Sequence, residues 1–440
     1  MIRLLAIFLA TVALADEPRQ LTLPEAIQLA LKNNPDLATA QQRVKIARAG
    51  IQQTEAALWP QVRVGAGYTA SDNPVQAFMM TLNQRSLNMA TANFNHPGTT
   101  DNFNGKVLAH WSLYDGGASL AHRQAAELNA TAAGQSLDAA RNDLVFEVTR
   151  AYYTIHKARQ FVTTAAAAVT SLTATVAIAS NRFAAGQTLK TDWLDAQVRL
   201  AESDENLIRA RNALALSELV FRVTLGVGEE KTVTAATVER ASRPFDSIDL
   251  NGRDARSTNS SRPELLAAGT ATAAADRQVR AAQAGYVPRL NAFASYDLDS
   301  GDASHFKDSW IAGVSIELPL FDGFLTRGKI REARANLETA RQQERRVKLA
   351  INLETRQAQL NLDEANARLA TTGQAVTQAE ESVQITKDRY TNGLALLTQL
   401  LDAETALTAA RQRRAAAETD VLIAQAALDR AHGNTWKETK

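Results

Sequence analysis

The sequence predicts a mixed fold: an all-α chain continuous with a membrane β-barrel, duplicated internally. Three observations predict it. An ordered set of motifs occurs twice, two proline-free stretches of 66 residues show helical apolar spacing, and four segments of about ten residues alternate apolar with polar side chains. Composition agrees. Of 440 residues 45% are hydrophobic but only 6% aromatic, and Ala supplies much of the apolar share, which favours close-packed helices over one large core. Lys and Arg number 48 against 47 Asp and Glu, so a net charge of +1 gives no pull toward nucleic acid. Zero cysteines exclude a disulfide scaffold, Cys-ligated metals, thiol catalysis and a lipid on an N-terminal Cys.

The first 15 residues read as a signal peptide: Arg3, an apolar run from Leu4 to Val12, and the small-x-small site Ala13-Leu14-Ala15. No later stretch holds 18 uninterrupted apolar residues, so no inner-membrane helix is expected. A chain of this kind enters a membrane only as a closed barrel.

The duplication organises the rest of the chain. Asn34-Pro35-Asp36-Leu37 answers Arg262-Pro263-Glu264-Leu265, and Leu58-Trp59-Pro60-Gln61-Val62 answers Tyr286-Val287-Pro288-Arg289-Leu290, both offset by 228. Trp111 to Gly116 answers Leu318 to Gly323, Arg182-Phe183 with Gly186 answers Arg389-Tyr390 with Gly393, and Leu194-Asp195-Ala196 answers Leu401-Asp402-Ala403, all offset by 207. The difference of 21 residues places an insertion between residues 68 and 107. The predicted organisation is therefore a first repeat over 16–230, with strands near 60–70 and 105–114 and a helical hairpin at 116–226. A polar linker comes next at 231–262, then a second repeat over 263–432 with strands near 287–298 and 309–320 and a hairpin at 323–431, then a tail at 433–440.

Each element has its reason. Thr22 caps a first helix with Pro24 and Glu25 in its opening turn. The entry helix from Asp36 carries Leu37, Val44, Ala47, Ile51 and Leu58 near a 3.6 period and stops at Trp59-Pro60. In the strands, Val62, Val64, Ala66 and Tyr68 alternate with Arg63, Gly65, Gly67 and Thr69, and Val107, Ala109, Trp111 and Leu113 alternate with Lys106, Leu108, His110 and Ser112. Leu290 to Tyr296 and Trp310 to Leu318 repeat the pattern. About ten residues is the length of a tilted transmembrane strand. Trp59, Tyr68, Trp111, Tyr114, Tyr286, Tyr296, Trp310 and Phe321 lie at the strand ends, as interfacial rings do.

An ordinary two-sheet sandwich would have to place Arg63, Lys106, His110 and Glu317 against water or a second sheet; a wet lumen takes all four without burial cost. Four strands are too few to enclose water, since such barrels begin near eight, so several chains must contribute; three would give twelve strands. The hairpin helices at 117–182 and 324–389 would each run roughly 100 Å. Leu194, Val198 and Ala201 on the return helix are expected at core spacing.

The Leu21-to-Ala26 segment through Asn33-Asn34-Pro35-Asp36-Leu37, the Pro after each entry helix, Tyr114-Asp115-Gly116-Gly117, Phe321-Asp322-Gly323, and Arg389-Tyr390 with Gly393 before Leu401-Asp402-Ala403 together resemble the TolC-like outer-membrane efflux proteins over about residues 21–431. The resemblance implies a homotrimer whose twelve-stranded barrel continues into a coiled-coil tunnel across the periplasm. It implies an exit duct in a tripartite efflux or type I secretion system, in the outer membrane of a Gram-negative cell, with a periplasmic adaptor and an inner-membrane pump of RND or ABC type as partners. It further implies a periplasmic gate at Asp192, Tyr390, Gln399 and Asp402, with Ala395 where an Arg would complete a salt bridge. The hairpin tips Gly186, Thr188, Leu189, Gly393, Leu394 and Leu396 are implied as adaptor contacts.

No enzymatic motif is present: the six His are scattered, and Walker A, Rossmann and G-x-S-x-G patterns are missing. No cofactor is expected. Met79, Met80 and Met89 in the insertion are read as an outer loop packing on itself rather than as soft-metal ligands. The competing function is a periplasmic structural or adhesive coiled-coil protein with a non-membrane β cap.

Overall fold

The computed structural model describes residues 19–228, 233–236 and 262–433. The signal peptide, most of the linker and residues 434–440 of the tail lie outside the described residues. The chain forms two compact units, and each draws on both halves of the duplication. One comprises the chain up to Gln41, Ser136–Leu265 and Lys348 onward; the other comprises Gln42–Gln135 and Leu266–Val347.

In chain order the described elements are β1 (Arg19–Leu21), α1 (Leu23–Asn33), α2 (Pro35–Glu55), β2 (Gln61–Ser71), α3 (Pro74–Asn83), β3 (Thr100–Tyr114), α4 (Ala118–Ala184), α5 (Lys190–Leu225), β4 (Val233–Ala235), α6 (Pro263–Gln283), β5 (Arg289–Ser300), β6 (Lys307–Glu317), α7 (Leu325–Thr391) and α8 (Leu397–Ala431). The two long helices are each 67 residues, and matching caps start them. Asp115 accepts from the Ser119 N–H and Asp322 from the Thr326 N–H, both at 2.8 Å, which satisfies amides the first turn leaves open. Gly116 precedes α4 at φ +72°, and a Cβ there would lie 2.8 Å from the Val287 Cβ and 2.9 Å from the Ala284 carbonyl, so only glycine fits.

The first unit gathers around α1. The Glu25 carboxylate takes both the N–H and the hydroxyl of Thr22 at 2.8 Å and fixes the helix start. Leu23, Ala26, Ile27 and Ala30 then bury one face of α1 against Val148, Tyr152, Tyr153 and Ile155 of α4 and Phe221 and Leu225 of α5. β1 pairs in parallel with β4, Leu21 opposite Ala235, a contact too short for sequence periodicity to register. Arg262 is buried at the head of α6, where its guanidinium meets Glu264 at 2.9 Å and Glu354 at 2.8 Å and donates to the Ala431 carbonyl at 3.2 Å.

The second unit holds a four-stranded antiparallel sheet in the order β2-β3-β5-β6. Nearly all of β2 and β6 is exposed on both faces, and among the described residues each pairs along one side only.

Several expectations change. β3 begins at Thr100 rather than near 105, and β6 ends at Glu317 because Pro319 just beyond has no N–H to give a ladder. The insertion is not all loop: it contains α3, capped by Asn73. Leu194 and Val198 are exposed rather than buried; α5 instead buries Ala196, Ser203 and Leu207. One described helix, α4, does hold an 18-residue window long and apolar enough to span a membrane, with mean hydropathy 1.7. Ser and Thr interrupt it, so it contains no unbroken apolar run, and Leu172, Val176 and Ile178 in this part of α4 pack beside Leu397, Leu400 and Leu401 of α8.

Candidate functional site

The strand registers sort the sheet into two unlike faces. Val64 stands opposite Val107, Val107 opposite Tyr296, and Tyr296 opposite Trp310, so these four share a face with Val62, Ala109, Ala294 and Val314. The other face carries polar groups. There Arg63 stands opposite Leu108, Gln61 opposite His110, Lys106 opposite Asp297, and Arg289 opposite Glu317. Arg63, Lys106, His110 and Glu317 therefore all lie on one face, and all are exposed. Lys106 reaches Asp297 at 3.5 Å across the ladder.

Among the described residues the apolar face is largely open; at one end Trp111 Nε1 donates to the Leu58 carbonyl at 3.0 Å. Four of this face's aromatic residues lie in two rows: Tyr68 and Phe103 stand opposite each other toward one end, with ring centroids 4.9 Å apart, and Trp111 and Tyr114 lie toward the other; Tyr296 and Trp310, expected at strand ends, stand instead in register with Val107 between the rows. From Phe103 to Trp111 is eight residues, about 27 Å along a strand, or roughly 20 Å in height at a tilt near 40°. That span approaches the apolar band of an outer-membrane barrel, about 25 Å. The aromatic side chains expected at the strand ends are 40–76% exposed among the described residues.

The second candidate region lies at the ends of the helical hairpins in the first unit. Gly186 and Gly393 turn the chain at φ +70° and +77°, positions that favour glycine. Thr188 is half-buried, and Leu189, Leu394 and Leu396 project with 68–70% of their surface free. Just behind them Ala179, Ala196, Tyr390, Leu397, Leu400 and Leu401 form a buried cluster joining the two hairpins.

The gate implied by the resemblance would let the Tyr390 hydroxyl donate to the Asp192 carboxylate, and that bond is not made among the described residues. Asp192 accepts from the Thr188 hydroxyl at 2.5 Å, while the buried Tyr390 hydroxyl has no hydrogen-bond partner among the described residues. Burial raises the Tyr390 hydroxyl above its ordinary pKa; the Arg182 charge opposes this and Asp192 adds to it. Arg182 makes the connection instead. Its guanidinium lies 4.9 Å from the Tyr390 ring centre and donates to the Tyr390 carbonyl, which ties α4 to the end of α7. Gln399 accepts the Leu396 N–H at 3.2 Å at the start of α8, and Asp402 is exposed one turn on.

Two side chains here escaped the sequence reading of the gate. The signal for Arg182 was present in the duplication, since Arg182-Phe183 aligns with Arg389-Tyr390; Phe183 stacks on Trp193 at 5.8 Å while its counterpart Tyr390 lies under Arg182. Glu404 is buried and accepts the Ser171 and Thr175 hydroxyls at 2.9 and 3.0 Å, joining α8 to α4. Its spacing placed it on the covered face, three, four and seven residues after Leu401, Leu400 and Leu397, but a carboxylate is rarely read as buried.

Comparison with known proteins agrees with this geometry. The chain matches the family model described as outer membrane efflux protein over residues 26–227 and 255–434, the two halves of the duplication. It is similar to protein CyaE of Bordetella pertussis, 28% identical over 97% of this chain and 86% of that one. It is also similar to outer membrane protein TolC of Escherichia coli K12, 23% identical over 93% and 82% of the two chains. The fold matches the solved outer membrane channel CmeC of Campylobacter jejuni with a TM-score of 0.83 at 16% identity, covering 95% of this chain and 87% of that one. With two faces of opposite polarity on an open sheet, two long helical hairpins and a family match across both halves, the chain belongs to the outer membrane efflux protein family and is an outer-membrane channel.

Proposed function

We propose that this channel works as a homotrimer in which three four-stranded sheets close one twelve-stranded barrel, the polar face lining a wet lumen and the apolar face meeting lipid. The observation that carries the reading is the sheet itself: open at β2 and β6, both strands exposed on both faces, and segregated by register into a charged face and an apolar face carrying aromatic rings. Pairing β6 of one chain with β2 of the next removes every edge. Arg63, Lys106, His110 and Glu317 then line the lumen. The hairpins form the periplasmic mouth, where Leu189, Leu394 and Leu396, with the turns at Gly186, Thr188 and Gly393, offer an apolar surface for an adaptor's helices. An inner-membrane pump of RND or ABC type supplies the energy, since the sequence carries no Walker A motif for nucleotide hydrolysis. The relatives' names span efflux and export, and the cargo class is carried by the pump.

At the mouth, Asp192, Tyr390, Gln399 and Asp402 form the gate, with Arg182 fastening the two hairpins of each chain. Three copies of Asp402 would ring the opening with carboxylates and favour cations. In planar bilayers, wild-type protein is expected to show small conductance steps, with larger ones for Tyr390→Phe combined with Asp192→Ala, and for Arg182→Ala. Wild-type steps with no change in any variant would remove the gate assignment, and recovery of the protein from buffer without detergent would favour the periplasmic coiled-coil reading instead.

A further inference from the structure

The insertion in the first half belongs to neither the barrel wall nor the periplasmic mouth, yet it is folded and attached at defined points. Asn73 accepts the N–H groups of Val75 and Gln76 at 3.1 and 3.3 Å and so starts α3. Ala77 is buried and Phe78 meets Phe94 edge-on at 5.4 Å, whereas Met79 and Met89, expected to pack within the loop, are 51% and 71% exposed.

Two residues at its end reach the sheet. Gln84 is buried, and its Nε2 donates to the Asp101 carbonyl at 2.7 Å and to Asn102 Oδ1 at 2.9 Å. Asn102 stands two and four places before Asn104 and Lys106 on β3, so it belongs to the polar face, and it donates onward to Asp299 at 2.7 Å. Arg85 extends across to β6. Its Nη2 donates to the Asp308 carbonyl at 3.0 Å and lies 3.5 Å from the Asp308 carboxylate. The Arg85 backbone sits at φ +51°, the left-handed residue that closes the end of α3, with its N–H on the Leu82 carbonyl at 3.0 Å and the Ser86 N–H on the Thr81 carbonyl at 2.9 Å.

The hydrogen bonds from Gln84 and Arg85 to the strands all fall at one end of the sheet, while mid-face on the polar side only the small Ser295 is buried. Asn102 and Asp299 are 8% and 3% exposed at that end, whereas Phe293, farther along the same face, is 39% exposed and His110 is open. This is the end away from the helices, since α4 leaves the opposite end of β3 and α7 follows the opposite end of β6. With the helices in the periplasm it is the outer end.

We propose that the segment between β2 and β3 is a plug across the outer end of the lumen, fastened by Gln84 and Arg85, and that these two residues limit the size of what passes. This rests on the polar face being the lumen wall. An exposed ion pair alone holds little, but here it is joined to two amide hydrogen bonds from a buried side chain, and three copies would converge on one opening.

The cysteine-free sequence makes the test direct. His110→Cys places one thiol on the polar face, inward of the plug. Intact cells are treated from outside with a small maleimide and with a bulky polyethylene-glycol maleimide. Replacing residues 75–97 by a short Gly-Ser turn is expected to speed bulky labelling about tenfold, with a smaller gain for Arg85→Ala, none for Arg85→Lys, and equal rates for the small reagent. If the turn variant fails to reach the membrane, Arg85→Ala and Gln84→Ala carry the test. Equal bulky-reagent rates in wild type and every variant that reaches the membrane would overturn the plug. Labelling by neither reagent until the cells are lysed would overturn the lumen reading beneath it.

Discussion

Replacing Val107 by Arg, and in a second protein Leu108 by Arg, puts the same charge on neighbouring residues that differ only in the face they occupy. Val107 lies between Val64 and Tyr296 in the ladder, four residues from each aromatic row at Phe103 and Trp111, and so near the middle of the apolar band. An Arg at that depth on the lipid face costs about 2–4 kcal/mol per chain, three times over in a three-chain barrel. Leu108 lies between Arg63 and Ser295 on the polar face, where the new charge stays in water. Its cost is the like-charge pairing with Arg63, at most about 1 kcal/mol. Both positions are 38–40% exposed in the single chain, so loss of packing does not separate them. Denaturant unfolding from lipid vesicles, read by tryptophan fluorescence, should show Val107→Arg lowered by at least about 1 kcal/mol relative to Leu108→Arg. Equal losses, or a greater loss for Leu108→Arg, would refute the assignment of the faces.

Two further predictions concern the first unit. Arg262→Met leaves Glu264 without its guanidinium partner and opens a buried site; a loss of about 2–3 kcal/mol is expected, moderated because Glu354 keeps Arg430 and both carboxylates are partly exposed. It should appear as a lower detergent-solution Tm. Burial, with the Arg159 charge adding, holds the His156 pKa below its usual 6.5, and Glu418 opposes the shift. The unfolded chain therefore takes up its proton at higher pH than the folded one. Its contribution is fully present above about pH 6.5 and is lost as pH falls toward the folded value. His156→Gln should flatten the decline of Tm just below that pH, and an unchanged slope would contradict it.

How much of the fold and the mouth was legible in the sequence depends on the range of each signal. Strand alternation is a local rule with period two, so the placement of Arg63, Lys106, His110 and Glu317 on one face could be read before any register was known. The matching Asp-Gly pairs likewise announced two helix starts, which Asp115 and Asp322 cap alike. The insertion was read as loop although Asn73-Pro74 is a helix-opening pair, because Pro and Asn also mark turns. The three-residue pairing of β1 with β4 is too short to leave a periodic trace. Apolar spacing identified Leu194 and Val198 as covered but not by what; within one chain they remain open, while the smaller Ala196 is buried. At the expected gate, the resemblance grouped Tyr390 with Asp192, whereas Thr188, four residues before Asp192, reaches the carboxylate first.

The most direct test of the account joins the two open edges. In the cysteine-free chain, single cysteines placed along β2 are combined with single cysteines along β6, and protein in native outer membranes is oxidised and separated in denaturing gels. The account predicts that register-matched pairs give chain-to-chain disulfides forming a ladder that stops at three chains. Closure of β2 on β6 within one chain, a ladder stopping at another number, or no cross-link between the edges at any register would contradict it.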